Sequence, residues 1–153
     1  MDIRIVEAAF DPQRECAQFL SGRQDAGALI SFVGICRGET DGREVSALTL
    51  QQYEGYTLPE ISRLAGEISL RFSCPDILVI HRVGTIGPGE AIVLVAALSE
   101  HRENAFDAVR LLMDYLKTDA PLWKKETGPR ASRWIEPRIR DRERRALAGE
   151  VVA

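Results

Sequence analysis

The chain has three lysines, Lys117, Lys124 and Lys125, and all of them fall within nine residues, whereas its other 17 basic residues are arginines. Arg serves wherever a generic positive charge is needed. A lysine amine differs because it can give up its proton when desolvated and then act as a base or a nucleophile. Further polar and cationic residues stand at the ends of apolar runs. Arg37 follows Gly34-Ile35-Cys36, His101-Arg102 follows the run 91–98, and Lys124-Lys125 follows Trp123 just past Pro121. The ends of such elements are where functional loops begin. Taken jointly, these residues describe a cationic pocket for an anionic ligand, with a lysine able to do chemistry. Each also has a plainer reading. A Lys at a helix C-terminus, such as Lys117, complements the helix dipole for about 0.3–1 kcal/mol. Arg37 can be a loop charge, His81 a core or interface histidine, Trp123 a core aromatic beside a solvated Lys124, and Trp134 a packing residue.

Other chemistries are excluded. The sequence has no GxxxxGK[ST], GxGxxG after a strand, GxSxG or HExxH. Its three cysteines (Cys16, Cys36, Cys74) are widely spaced and only two histidines accompany them, so neither a zinc cluster nor a disulfide framework is expected. They read as reduced thiols, and no metal or cofactor is expected. A formal net charge of -3 argues against a nucleic-acid surface. No apolar run approaches the roughly 20 residues needed to cross a bilayer. The start, Met1 to Val6, lacks a signal-peptide layout, so a cytoplasmic address is expected.

The elements that must position these residues follow from periodicity. With 153 residues, one domain is the expectation. Residues 2–6 alternate as a strand. Asp11 caps a helix with Pro12 in its first turn, running to about Leu20. Residues 28–35 read as a buried strand, 36–44 as an exposed loop, and 45–52 as a strand. Thr57 and Glu60 form a capping box for a helix with the stripe Ile61, Leu64, Ala65, Ile68 and Phe72. Residues 76–83 and 91–98 are strands of a hairpin joined by the turn 84–89. Ser99 opens a last helix ending near Lys117, with Phe106, Val109, Met113 and Leu116 on its apolar face. Residues 122–127 are extended, 128–132 form a loop, and 136–145 are densely charged. Adjacent strands joined by short turns predict mostly antiparallel pairing and an α+β class.

One distance matters. Arg102 to Lys117 spans about 22 Å of helix at 1.5 Å per residue. One protomer does not easily bring both to one small ligand, so a shared site calls for a second copy or a later helix start.

Several stretches then resemble a known family. They are Phe32-Val33-Gly34-Ile35-Cys36-Arg37, Gln51-Gln52-Tyr53-Glu54-Gly55-Tyr56, Ile80-His81-Arg82-Val83-Gly84, Ser99-Glu100-His101-Arg102, Tyr115-Leu116-Lys117, Pro121-Leu122-Trp123-Lys124-Lys125-Glu126 and Arg133-Trp134. In this order they resemble the large, catalytic subunit of molybdopterin synthase over about residues 25–138. The resemblance implies an α/β-hammerhead fold over 1–138, with 139–153 as a charged tail. It implies sulfur transfer to cyclic pyranopterin monophosphate (precursor Z), forming the dithiolene of molybdopterin. It also implies a small ubiquitin-like partner carrying sulfur as a C-terminal Gly-Gly thiocarboxylate, and a homodimer at the centre of a heterotetramer. Lys117 and Lys124 match the family's catalytic lysines. Arg37, His101, Arg102, Lys125 and, at the end of the matched region, Arg138 match residues of the substrate pocket. The donor sulfur comes from the partner, so Cys36 is not expected to be a nucleophile. Two non-enzymatic readings also exist: an anion- or nucleotide-binding module, and a scaffold that only docks the partner's tail.

Overall fold

A computed structural model describes residues 1–136 together with 142, 143, 146 and 147. Its elements run β1 (Asp2–Val6), α1 (Pro12–Leu20), β2 (Ala28–Ile35), β3 (Glu39–Thr40), β4 (Arg43–Glu44), β5 (Ala47–Gln52), α2 (Thr57–Arg71), β6 (Asp76–Arg82), β7 (Gly84–Ile86), β8 (Ala91–Ser99), α3 (Arg102–Thr118), β9 (Leu122–Thr127) and β10 (Ser132–Ile135). The first sheet has the order β1-β6-β8-β2 and the second β10-β9-β5-β7, with β3-β4 a separate hairpin. Among the described residues, all pairings are antiparallel except β1 with β6. The class is α+β, as the sequence predicts.

The first sheet is a layer covered on both sides, which is why β6 and β8 are almost wholly apolar. Alternation along β6 sends Ile77 and Val79 toward α2 and α3, while Leu78 and Ile80 point toward α1. The apolar stripe of α2 (Ile61, Leu64, Ala65, Ile68) is buried as expected. A smaller cluster of Cys36, Leu48, Leu50 and Ile86 lies under the second sheet. Among the described residues, no helix is long and apolar enough to cross a membrane.

Asp11 caps α1 as expected, its carboxylate accepting from the amides of Gln13 (2.9 Å) and Arg14 (3.3 Å). The capping box of α2 does not form. Tyr56 holds the cap position, and Thr57 lies one residue inside the helix. The Thr57 hydroxyl instead accepts from the Tyr53 amide and donates to the Pro121 carbonyl, each at 2.9 Å. It thereby ties the helix start to the segment that enters β9, while Glu60 pairs with Arg63.

Other boundaries shift for identifiable reasons. Ser99 is the last residue of β8, paired with Ala28, so α3 begins at Arg102. The buried face of α3 centres on Ala105, Ala108, Leu112 and Tyr115, and Phe106 is 57% exposed. The strand β2 is an edge strand, leaving Phe32 and Ile35 exposed rather than buried. The expected loop 36–44 contains the hairpin β3–β4. Its tip, Asp41-Gly42, has φ of 52° and 73°, the pair of positive values that a two-residue hairpin turn requires. β6 and β8 pair as expected, but their connection detours through β7 into the second sheet. Strand β10, in a stretch read partly as loop, pairs with β9.

Gly27 marks the entry to β2. Its amide donates to the Ser99 carbonyl at 3.0 Å, and any Cβ there would overlap the Glu100 carbonyl oxygen. Gly27→Ala is expected to cost about 1–3 kcal/mol, because backbone must move to admit it. A lowered urea midpoint with unchanged m-value would be the readout.

Candidate functional site

Strand β9 decides which lysine can work in an interior. Its residues alternate, so Lys124 and Glu126 share one face with Leu48 and Leu50 of β5, their cross-strand partners. That face overlies the buried cluster of the second sheet. Trp123 and Lys125 take the opposite face. There Trp123 is 51% exposed and stacks edge-on with Tyr53 and Trp134, while the Lys125 amine stands 5.8 Å from the Trp134 ring centroid. The arrangement is the reverse of the plain sequence reading: the tryptophan faces outward and its neighbouring lysine inward.

Lys124 thereby enters a cleft of about 860 Å³ between the two sheets. This is a size that holds a small ligand. The last turn of α3 adds Lys117, the segment after β2 adds Arg37, and β10 adds Arg133. Phe32, Ile92 and Met113 supply apolar wall. Among the described residues, four cations therefore face three carboxylates, Asp41, Glu126 and Glu136. Glu126 is committed, since it accepts from Arg133 Nε (3.0 Å) and Nη2 (2.9 Å) and from the Thr40 hydroxyl (3.0 Å). Arg133 also stands 3.8 Å from Asp41. These bonds hold the β3–β4 hairpin against β9 and β10 as one wall of the cleft.

The wall carrying Arg37 is fixed by backbone. The Cys36 amide donates to the Glu90 carbonyl (2.9 Å), and the Gly89 amide donates to the Cys36 carbonyl (2.8 Å). Glu90 accepts in turn from the Gly87 amide (2.6 Å) and from the buried Arg82 guanidinium (3.1 Å). Gly34 must stay small, because a Cβ would press on the Val93 side chain. Cys36 itself is buried. Burial pushes its thiol pKa up, and the carboxylates of Glu126 and Glu90 push the same way. A thiolate is therefore disfavoured here.

His81 closes the floor of the cleft from the end of β6 and is 3% exposed. Its Nδ1 lies 3.0 Å from the Arg82 carbonyl, and a carbonyl only accepts, so Nδ1 carries the proton. Burial foremost, and then the Lys124 ammonium, hold its pKa down at about 4. The ring is neutral at physiological pH.

Within one chain the structure thus brings together Lys117, Lys124 and Arg37. His101 and Arg102 sit at the opposite end of α3. His101 is exposed, 3.9 Å from Glu100, and neither residue lines the cleft. Lys125 lies on the outer face of β9, and Arg138 falls outside the described residues. Glu126, Arg133, Thr40 and His81 were not singled out as site residues by sequence. For Glu126 the signal was present, since it stands two residues after Lys124 in a strand.

The comparisons agree with one another. The family model described as MoaE protein matches residues 5–119. The molybdopterin synthase catalytic subunit of Caulobacter vibrioides is 44% identical over 142 residues, 93% of each chain. That of Pseudomonas aeruginosa is 43% identical over 141 residues, 92% of this chain and 94% of the relative. The solved molybdopterin biosynthesis MoaE protein from Burkholderia ambifaria superposes with a TM-score of 0.80 at 39% identity, covering 97% of each chain. The apolar layers that place Lys117 and Lys124 are therefore those of a known fold, and this chain belongs to the MoaE protein family.

Proposed function

We propose that this chain is the catalytic subunit of a molybdopterin synthase. It receives sulfur from the C-terminal thiocarboxylate of a small ubiquitin-like partner and installs two sulfurs on cyclic pyranopterin monophosphate, yielding the dithiolene. The observation that carries the reading is the convergence of Lys117 and Lys124, from two different elements, on one cleft that also holds Arg37. The names of the relatives from Caulobacter vibrioides and Pseudomonas aeruginosa support it.

The roles follow from chemistry. Arg37 offers a planar fork to the substrate phosphate. Transfer and hydrolysis of the thioester left after sulfur attack develop negative charge on oxygen. A fixed ammonium beside that oxygen lowers the barrier. Lys117 and Lys124 supply that ammonium and the proton traffic between them. His101 and Arg102 are too far along α3 to serve the cleft of their own chain; the family resemblance implies a pocket built from both protomers, in which they complete the cleft of a second copy. The working unit is a homodimer with one small partner at each end, and it acts in the cytoplasm.

Mixing the purified protein with precursor Z and thiocarboxylated partner should yield dithiolene. Binding of the pterin without turnover would favour an anion-binding module instead. Partner binding without pterin affinity would leave a scaffold. Cys36→Ala is expected to keep wild-type turnover in this assay, because the sulfur comes from the partner and the thiol is held protonated.

A further inference from the structure

We propose that His81 is a positioning residue for Lys124: its uncharged imidazole turns Nε2 into the cleft as a hydrogen-bond acceptor that steers the Lys124 ammonium. The inference rests on the catalytic reading of Lys124 given above.

Three observations carry it. By strand alternation His81 continues the Ile77–Val79 face of β6, opposite Val93, so its ring emerges where the apolar layer under α3 gives way to the cleft. The bond from Nδ1 to the Arg82 carbonyl anchors the near edge of the ring to its own strand, which leaves Nε2 on the far edge with a lone pair. The rest of the cleft is rich in donors, and of its carboxylates Glu126, the one on Lys124's own strand face, is held by Arg133 and Thr40. A neutral acceptor suits an ammonium in such surroundings, where a second cation would repel it. Among the described residues, the charged groups facing this region are Lys117 from α3, Lys124 and Glu126 from β9, Arg37 after β2, Asp41 from the hairpin, Arg133 from β10 and Glu136 just after it.

The composition makes the test practical, because three lysines give three side-chain signals. Protein with 13C at the lysine ε carbons would be titrated as wild type, His81→Gln and His81→Leu, with Lys125→Arg used for assignment. Glutamine places its oxygen near the position of Nε2, whereas leucine keeps bulk without an acceptor. The Lys124 titration is expected to fall by about one pH unit in His81→Leu, since a bond to a charged group is lost. It should recover in His81→Gln while Lys117 stays unmoved. In the dithiolene assay kcat should drop about tenfold for His81→Leu with KM for the pterin unchanged. A Lys124 titration identical in all three proteins overturns the proposal. Nitrogen-15 spectra of the wild-type imidazole serve if the leucine variant does not fold: a proton on Nδ1 supports the proposal, and one on Nε2 overturns it. Absence of turnover in the wild type would count against the catalytic reading, and the titration would still decide the contact.

Discussion

Lys117→Ala is expected to lower dithiolene formation by about 10²–10³-fold, the usual loss when one fixed charge is removed from a developing oxyanion. Lys117 is exposed at the last turn of α3 and lines the cleft, so the variant should fold and dimerise normally. A role confined to the helix dipole predicts a different result. Alanine would then cost about 0.3–1 kcal/mol of stability and leave turnover intact. Lys117→Arg separates the two further, because arginine preserves the dipole interaction but not the compact amine or its readily shared proton. Single-turnover rates with saturating thiocarboxylated partner are the measurement. Full activity in either variant would remove Lys117 from the chemistry.

Acid should destabilise the protein in a window set by His81. In the folded chain this group titrates at about 4, against an ordinary value of 6.5. Between those values the unfolded chain binds a proton that the folded chain refuses, so stability falls as pH falls from about 6.5 to about 4. The full drop is on the order of 3 kcal/mol, at 1.36 kcal/mol per pH unit. Above the window the contribution is complete, and below it the curve flattens as far as this group is concerned. Carboxylates held low by their partners also lose stability in acid. Asp25 is lowered by its bond from Arg23, Glu60 by Arg63, and Glu90 chiefly by the Gly87 amide. Their ordinary values of 3.8 and 4.5 put those losses at the bottom of the His81 window or beneath it. Urea unfolding at pH 7.5, 6.0 and 5.0 should therefore show a slope in the wild type that His81→Gln lacks. Equal slopes would mean that the imidazole is not shielded from its proton.

The regular elements were legible in sequence wherever a period had a single meaning. β6, β8 and the stripe of α2 announced themselves through unbroken apolar runs or clean 3.6 spacing. Failures came where one residue served two masters. Thr57 looks like a cap, but tertiary structure recruits its hydroxyl to bridge Tyr53 and Pro121. Phe106 fits an apolar stripe by spacing alone, yet alanines occupy the true contact line of α3 and leave it outside. At the site, type and clustering drew attention to the lysines, and the family resemblance picked out Lys117 and Lys124. Their orientation was not, because Lys124 and Lys125 differ only in parity along a strand whose buried face is set by Leu48 and Leu50. The polar bracing by Thr40 and Arg133 depends on a hairpin and an edge strand that no local pattern specified.

Lys117 is carried by a helix seated on the first sheet, and Lys124 by a strand of the second. The separation of the two amines is therefore not written in the nine residues that contain them. It is a gap between slabs, set by the apolar seam where Ile92 of β8 packs against the cluster of Cys36, Leu48, Leu50 and Ile86. Trimming a methyl group at that seam would alter how the amines are spaced without touching either. Tolerance of this fold to variation should thus be narrowest at buried aliphatic positions that never meet a ligand.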